Sequence, residues 1–394
     1  MKKLLLAVLA CALVAPAFAV ENVKVTGDIQ TIGFAYENHD TAPTLTNFRG
    51  TTNRVLLGIG ADLVEDVQAK LTFAHRWVSG RGFGGDNVTG AGSVLDNTFL
   101  AEAYVNISNV FDALEVKVGR QFYGDEKSAV MYFGPDYGYA AVNDYLSLDG
   151  VTARYNGENF ALTAAYFSLV NGITGAYTLP ERANDLNLAG LDLDLKVTEE
   201  VSANAYVYDL KDNGTYGTDF GFWGVKPTIE MDNLKLGVEY ARNYGAVEKG
   251  WQVKADAALP IGLDNATLTP RLTYLKSEKK FRAFGNYRPG LMFGSVMAVQ
   301  GMGPVNNLMG IVANWEIVNA GVCMKFANLE KWGFGLDFYT GEMDDAWQGN
   351  SWEAKAVYNV NQYVSFDLTG AILTNIRSWK HSPTAVQLGM NIKF

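Results

Sequence analysis

The chain has 394 residues, with 32 basic and 42 acidic side chains and a formal net charge of −10. This acidic balance argues against nucleic-acid binding, because contacts with phosphates need clustered positive charge. Glycine is abundant at 41 residues, proline is scarce at 10, and a mean hydropathy near zero is too polar for a bundle of membrane-spanning helices. No Pro/Ser-rich linker or low-complexity segment divides the chain, and this continuity predicts a single domain.

The first residues predict an export signal. Two lysines precede a short apolar stretch, and a small-x-small cleavage site ends at Ala19. A lipobox-like sequence ending at Cys11 leaves a lipoprotein signal as an alternative. Cleavage after Ala19 would divide the chain into a signal peptide, 1–19, and a mature domain, 20–394. The mature domain would keep 30 basic and 42 acidic residues and a single cysteine, so it cannot form an internal disulfide.

Apolar and polar residues alternate in segment after segment of the mature domain. Leu57 and Ile59, for example, alternate with Gly58 and Gly60. A period of two predicts strands with one apolar and one wet face, and short turns between them predict antiparallel hairpins. Longer connections alternate with these turns; they cover approximately residues 37–52, 79–96, 124–148, 171–186, 211–218, 243–249, 277–307, 342–349 and 375–383.

Counting the alternating segments gives eighteen strands, provided that residues 308–327 form one strand; sixteen strands is the alternative. Short turns that alternate with long loops are typical of bacterial outer-membrane barrels, whose turns are periplasmic and whose loops are extracellular. We therefore predict an all-β fold, a transmembrane antiparallel β-barrel in the outer membrane of a Gram-negative-type bacterium. Tryptophans at predicted strand ends fit the aromatic girdles of such barrels: Trp77, Trp251, Trp332 and Trp352.

The chain ends on a regular strand whose last residue is aromatic. In the stretch 384–394, Val386 and Leu388 fall on one face, Gln387 falls on the other, and Phe394 is the final residue. This ending resembles the terminal strand of outer-membrane barrels, whose final Phe is part of the signal read by the assembly machinery. We expect Phe394 to serve as this assembly signal, with the barrel assembly machinery and outer-membrane lipid as partners.

The same alternation assigns many charged side chains to the lumen. Each lies between apolar neighbours, and a basic residue placed in lipid would cost about 2–4 kcal/mol at the midplane. Balanced signs predict a polar, water-filled channel that can accept anions, although the charges could instead pair and stiffen the wall. The inward candidates are Arg54, Lys70, Arg76, Lys117, Arg154, Lys196, Lys235, Lys254, Arg271, Lys325 and Lys355, with Glu102, Glu115, Asp192, Asp194, Glu239, Asp256, Asp337, Glu353 and Asp367.

Two of the predicted loops are long enough to fold into the lumen as a constriction. One covers residues 123–148 and is rich in glycine and tyrosine, and the other covers residues 277–307 and begins with several basic residues. A basic loop at the mouth of a pore would raise the local concentration of anions, whereas the alternative is an ordinary solvated loop.

A local motif spans residues 116–155. One predicted strand ends in Gly-Arg-Gln, a Tyr-Gly-Asp segment follows, and after a loop the next strand opens with Asp-Gly-Val. This order resembles the alginate export family of outer-membrane porins. Strict alternation sends the arginine outward, unless a bulge at the preceding glycine turns it into the lumen. The motif residues are Gly119, Arg120, Gln121, Tyr123, Gly124, Asp125, Asp149 and Gly150.

The resemblance implies an eighteen-stranded barrel, in agreement with the count of alternating segments, and passive passage of a solute. In the type member of the family the solute is an anionic polyuronate. A tryptophan–asparagine pair expected in the loop after Tyr123 is absent from this chain, where Asn143 and Tyr145 are the nearest equivalents. The resemblance therefore supports the barrel and the porin role more directly than it supports the solute.

We expect an outer-membrane porin that gives passive diffusion to small hydrophilic solutes, including anionic solutes of saccharide or uronate type. The alternative is a structural barrel that anchors the cell surface and has a narrow or closed pore. A hydrolytic role would need His39 and the adjacent Asp40 to activate water, and sequence neighbours on a loop seldom form such a pair. The glycine-rich stretch 80–85 matches a dinucleotide pattern without a following helix. We expect no catalytic, cofactor or metal site.

Overall fold

The computed structural model describes residues 21–37, 47–81, 97–135, 147–168, 186–212, 219–245, 249–278, 281–284, 290–291, 315–343, 347–375 and 382–394. The strands are β1 (Glu21–Glu37), β2 (Asn47–Val64), β3 (Val67–Arg81), β4 (Asn97–Val110), β5 (Leu114–Gln121), β6 (Tyr123–Gly124), β7 (Tyr132–Phe133), β8 (Leu148–Asn156), β9 (Phe160–Ser168), β10 (Leu186–Lys196), β11 (Val201–Asp212), β12 (Phe220–Met231), β13 (Leu234–Tyr244), β14 (Trp251–Ala258), β15 (Ile261–Leu263), β16 (Ala266–Ser277), β17 (Trp315–Phe326), β18 (Trp332–Met343), β19 (Trp347–Asn359), β20 (Val364–Thr374) and β21 (Thr384–Lys393).

All strands except β6 and β7 belong to one antiparallel sheet that closes on itself. Neighbours in sequence pair throughout, and β5 pairs with β8 across the short β6–β7 hairpin. Both β14 and β15 pair with β16 and together make one wall strand, so the described wall has eighteen strands. The predicted fold class and the count of eighteen are confirmed, and the alternative of sixteen is wrong.

The barrel closes where the first and last strands meet. β1 pairs with β21 from Asp28 opposite Lys393 to Glu37 opposite Thr384. Beyond this ladder the backbone N–H groups of Gly27 and Phe394 each donate to the carbonyl oxygen of the other, with N···O distances of 2.8 and 3.0 Å. The final Phe therefore takes part in closure. Its role as an assembly signal stays a prediction, and the predicted signal peptide, 1–19, lies outside the described residues.

Short turns and long connections lie at opposite ends of the barrel. Two-residue turns join β2 to β3 and β12 to β13, and a 3-10 helix, Ala327–Leu329, joins β17 to β18. The long connections are shorter than predicted at several places; β18 and β19, for example, leave only residues 344–346 between them. Within the described ranges no helix has the length and apolar character that a membrane crossing requires.

Alternate residues of the wall face in opposite directions, as the sequence period predicts. In β9, Phe160, Leu162 and Tyr166 are exposed on the outer surface, while Ala161, Ala165 and Phe167, which alternate with outward residues, are buried in the lumen. The same outward exposure of large apolar side chains recurs around the wall. A belt of this kind is stable only against lipid, because an apolar surface of this extent would aggregate in water.

Aromatic residues pair on the outer surface of the wall. Trp332, the first residue of β18, stacks on Phe334 with 6.0 Å between ring centroids and lies 4.8 Å from the ring of Tyr358. Indole rings favour the boundary between hydrocarbon and water, and this cluster therefore suits an interfacial girdle of a membrane barrel. Trp352 is exposed and packs against Phe338 at 4.7 Å, but it lies in the middle of β19, so its predicted place at a strand end is wrong.

Two glycines allow the wall to twist sharply where the sequence motif lies. Gly119 and Gly150 are direct partners in the β5–β8 ladder, and Gly119 has a φ of 126°. A Cβ at Gly119 would overlap the carbonyl oxygen of Ala103, and a Cβ at Gly150 would overlap that of Tyr166. The backbones of four adjacent strands approach so closely here that only glycine fits.

We predict that Gly119→Ala lowers the yield of folded barrel. The alanine would meet a backbone oxygen and would hold a positive φ, which costs on the order of 1–3 kcal/mol for a residue other than glycine. The control is Gly370→Ala in β20, where an added Cβ has no atom within 4 Å. The measurement is the heat-modifiable fraction on unboiled gels after refolding in detergent; equal fractions for the two variants would contradict the prediction.

Candidate functional site: the lumen and its inward loops

The two loops predicted to fold inward do so in the parts that the structure describes, and they pair with each other. The backbone N–H of Phe284 donates to the carbonyl oxygen of Val130 at 2.7 Å, and the N–H of Tyr132 donates to that of Phe284 at 2.9 Å. A parallel bridge joins Met131 to Phe284. The segment 122–135 and the segment 281–284 therefore form one inserted unit.

This unit packs against apolar side chains that point into the lumen from the long-loop ends of the strands. Apolar residues of the unit, among them Val130, Met131, Phe133, Phe281 and Phe284, belong to one buried cluster that reaches from β1 to β11 on the opposite side of the wall. Ring centroids of Phe284 and Phe220 lie 5.8 Å apart, and those of Phe284 and Phe133 lie 5.3 Å apart. We call this cluster the apolar plug; it includes Phe34, Val130, Met131, Phe133, Phe167, Tyr208, Phe220, Phe222, Phe281, Phe284, Leu291, Ile317 and Leu373.

A buried wall carboxylate anchors the first loop. Glu239, in β13, is 4% exposed and accepts hydrogen bonds from the Ser128 hydroxyl at 2.6 Å, from the Ala129 backbone N–H at 2.9 Å and from the Tyr206 hydroxyl at 3.1 Å. Gln252 donates to the Ala129 carbonyl oxygen at 3.1 Å. Backbone groups that a loop takes into a barrel need such partners, because leaving them unpaired costs about 1–3 kcal/mol each.

The second loop has its own anchors on the wall. The side chain of Asn243 accepts from the Arg282 backbone N–H at 2.7 Å and donates to the Arg282 carbonyl oxygen at 2.8 Å. Glu353, which is 7% exposed, accepts from the Leu291 backbone N–H at 2.8 Å. Amide and carboxylate side chains therefore hold the first loop from β13 and β14 and the second loop from β13 and β19, in addition to the apolar contacts.

A cavity of about 590 Å³ lies beneath the first loop, toward the short-turn end of the barrel. Wall strands from β5 to β13 form its sides, and the β6–β7 hairpin forms its roof. We call it the chamber. Its charged lining residues are Glu115, Lys117, Asp125, Arg154, Asp192, Asp194, Lys226 and Glu239.

Most of the cations in the chamber are already neutralised by neighbouring acids. Arg154 donates to Asp194 at 3.0 Å, and Lys226 forms an ion pair with Asp125 of the roof. The Lys117 ammonium lies over the ring of Tyr104, 4.8 Å from its centroid. Two of the three basic residues in the chamber therefore form ion pairs, which fits the alternative that the charges pair and stiffen the wall.

The roof is fixed by polar contacts of the motif residues. The hydroxyls of Tyr123 and Tyr208 are 2.9 Å apart, and burial raises the pKa of the Tyr123 hydroxyl. Burial also opposes ionisation of Asp125, but the hydrogen bond from Lys226 and the backbone N–H of Lys127 outweigh it and lower the pKa of the carboxyl. The Asp125 carboxylate is therefore charged at neutral pH, and its tie to Lys226 is lost only as the pH falls through that lowered value.

Arg120 keeps the outward direction that strict alternation predicts. It stays in register opposite Asp149 in the β5–β8 ladder, and no bulge turns it inward. Its guanidinium donates twice to the Asp149 carboxylate, both at 2.7 Å, and once to the carbonyl oxygen of Leu100 at 3.2 Å. The arginine thus clamps three neighbouring strands on the outside, and it is not part of the lumen. Inside, Thr152 donates to Gln121 at 3.2 Å.

The remaining charged candidates also lie on the inward face, and several are paired. Lys70 is 2.7 Å from Glu102, Arg271 is bidentate to Asp337, and Lys254 donates to the Lys127 carbonyl oxygen at 2.9 Å as well as pairing with Asp256 at 2.7 Å. Arg54 is only 1% exposed. The side chain of Arg76 lies outside the described part of the chain. Nearer the short-turn end of the lumen are Lys196, Lys235, Lys325, Lys355 and Asp367. Their role in permeation stays a prediction.

Several polar residues that shape the chamber were missed by the sequence reasoning. Asn204 donates to both Asp192 and Asp194, Tyr208 donates to Asp192 at 3.1 Å, and Lys226 lines the wall below the roof. Asn204 and Tyr208 alternate with apolar residues in β11, which predicts that both face the lumen, but the predicted lumen residues included charged side chains only. Pro227 follows Lys226 in β12 and obscures the pattern there.

The described residues hold no group of three or more His, Cys, Asp or Glu side chains placed to bind a metal ion. His39, Asp40 and His381 lie outside the described residues. The glycine-rich stretch 80–85 begins inside β3, and its remainder is likewise outside them.

The fold is that of outer-membrane porins. The chain is similar to OccK3 (OpdO) of Pseudomonas aeruginosa, with 12% identity over 96% of this chain and 97% of that one and a TM-score of 0.61. It is also similar to OccAB4 of Acinetobacter baumannii, with 10% identity over 95% and 99% and a TM-score of 0.60, and to a BenF-like porin of Pseudomonas fluorescens Pf-5, with 11% identity over 96% and 100% and a TM-score of 0.62. No family model and no curated protein matches the chain.

The matched porins confirm the β-barrel porin fold that the sequence resemblance implied, and they do not confirm the alginate export family. They share the closed barrel, but their names do not place them in the alginate export family. Together with the apolar outer belt, the fold supports the predicted location in the outer membrane of a Gram-negative bacterium.

We predict that Glu239→Gln loosens the first loop without unfolding the barrel. Glutamine has the same length, but its amide replaces one acceptor with a donor, and hydrogen bonds to a charged group are worth about 1.5–3 kcal/mol each. Single-channel recording should show larger or noisier conductance steps. The control is Glu316→Gln, which removes an outward carboxylate paired with Lys276. Identical traces for both variants would show that Glu239 does not hold the loop.

Proposed function

We propose that this chain is a passive channel for small hydrophilic solutes in the outer membrane. The observation that carries the proposal is the chamber, a cavity of about 590 Å³ inside a closed barrel with eight charged side chains in its lining. That volume is in the usual range of sites for small molecules. The fold shared with outer-membrane porins supports the same function.

Selection in such a channel combines width with weak polar contacts. The inserted loops narrow the lumen, and paired charges, amides and tyrosine hydroxyls of the chamber offer a solute replacements for its water contacts. Arg154 and Asn204, for example, both contact Asp194 and can exchange this contact for one with a passing solute. Each contact must be weak enough for the solute to leave again. We propose no catalytic step and no cofactor.

The resemblance to the alginate export family is the finer hypothesis, and it implies an anionic solute of uronate type. Its support is the motif in the sequence, whose residues make the Arg120–Asp149, Tyr123–Tyr208 and Asp125–Lys226 contacts. Basic lumen residues lend it less support than the sequence suggested, because Lys70, Arg154 and Arg271 are paired with acids.

A structural barrel with a closed pore is the second candidate, and the apolar plug favours it. Buried aromatic side chains from two loops and from strands on opposite sides of the wall meet in this cluster. A dry constriction of this kind stops ions, because an ion would have to lose its hydration shell among apolar groups. As part of either function, we propose that Phe394 is read by the barrel assembly machinery.

Planar-bilayer recording of the purified mature protein separates these functions. The channel proposal predicts stepwise conductance, and a structural barrel would insert without conducting. Polyuronate added to one side then tests the finer hypothesis, since a uronate channel should be blocked in a concentration-dependent way. A further variant, Phe284→Ala, removes one ring from the plug. If the wild-type protein does not conduct and this variant does, the plug closes the pore of the wild-type protein.

A further inference from the structure

We infer that the chamber is a weak binding site for cationic solutes, those with an ammonium or guanidinium group, and that it disfavours anions of the same size. This inference rests on the proposed channel function and names the class of solute for that site. It runs against the anion preference that the number of basic residues suggested.

The first observation is the charge of the lining. Five carboxylates face three cations in the chamber, a difference of two negative charges. A cavity with walls of low dielectric focuses the field of such a surplus and raises the local concentration of the opposite ion.

The second observation is where the pairing leaves the unbalanced charge. Arg154 and Lys226 are each matched by one carboxylate. In the part of the chain that the structure describes, Asp192 receives its hydrogen bonds from neutral donors, Asn204 and Tyr208. Glu239 is likewise held by neutral hydroxyl and backbone groups. Among the described residues neither Asp192 nor Glu239 forms an ion pair, so no cation is matched directly to either carboxylate.

The free cation of the chamber does not reverse this balance. The Lys117 ammonium is the basic group without an ion pair among the described lining residues, and it lies over the ring of Tyr104. Glu115 lies on the same face of β5, two residues away. The opposite charges of Lys117 and Glu115 nearly cancel on the β5 side of the chamber. The electric field on the side of β10 and β13 is therefore determined mainly by Asp192 and Glu239.

The shape and chemistry of the walls fit a small organic cation. Tyrosine hydroxyls, Asn204 and two threonines, Thr152 and Thr163, offer acceptors for ammonium protons, and the partly buried Tyr123 forms part of the roof. Cations gain from such aromatic and oxygen-rich surroundings, whereas a carboxylate would have to displace an existing acid from its partner. A solute with one positive end and a short polar or apolar body therefore fits the chamber.

The test is the reversal potential of the purified full-length mature protein in a potassium chloride gradient. We expect potassium to be favoured over chloride by roughly threefold to tenfold, at or just below the smallest effect that a charged cleft has on counter-ion concentration. The double variant Asp192→Asn with Glu115→Gln should bring the ratio close to one. The matched control, Glu199→Gln with Glu200→Gln in the β10–β11 turn, removes two carboxylates outside the lumen and should keep the wild-type ratio.

A second measurement keeps the inference testable if the double variant does not fold. In one recording, arginine chloride is placed on one side of the wild-type channel. In a parallel recording, potassium glutamate takes its place. The reversal potential of each recording gives the permeability of the organic ion. Arginine passing more readily than glutamate supports the inference. A conducting channel that prefers chloride or glutamate overturns it and leaves the channel function standing, whereas a protein without conductance overturns the channel function itself.

Discussion

The hydrogen bonds between β1 and β21 close the sheet into a barrel that has no free edge. Closure therefore fixes whether each wall side chain faces the lipid or the lumen. In a closed sheet each residue has two options, the lipid surface or the lumen, and its parity along the strand selects between them. The final pair, Gly27 with Phe394, extends this seam to the last residue of the chain. The apolar belt, the plug and the chamber all follow from that one division.

Filling the lumen changes what its polar residues do. A loop that enters the barrel brings backbone N–H and carbonyl groups away from water, and these groups need partners. Glu239, Asn243 and Glu353 supply them from the wall, while aromatic side chains above them replace water by apolar contact. The same carboxylates that would attract solutes in an open pore act here as loop anchors. Residue type and inward direction together are therefore insufficient to assign a role in permeation.

Much of the fold could be predicted from the sequence, and less of the site. The period of two is a local property, so eighteen strands, their directions and even the outward side chain of Arg120 follow from it. Pairing is not local. The contact between Arg154 and Asp194 joins residues that are forty positions apart and depends on the relative registers of three strands and on depth in the barrel. The anchoring role of Glu239 has no local signal at all, because its partners belong to an inserted loop.

The plug and the chamber lie in series along the barrel axis, and this order gives them different consequences. In the proposed channel the plug would control whether an ion passes, because apolar side chains fill the lumen at the long-loop end. The chamber would control which ion is concentrated beneath the plug, because its surplus of carboxylates acts over the few ångströms of a narrow space. Glu239 belongs to both, because it contributes charge to the chamber and holds Ser128 and Ala129 at the edge of the plug. If both proposals hold, solute selection and opening would be coupled through this side chain, because a cation that approaches Glu239 would compete with the loop for the same carboxylate.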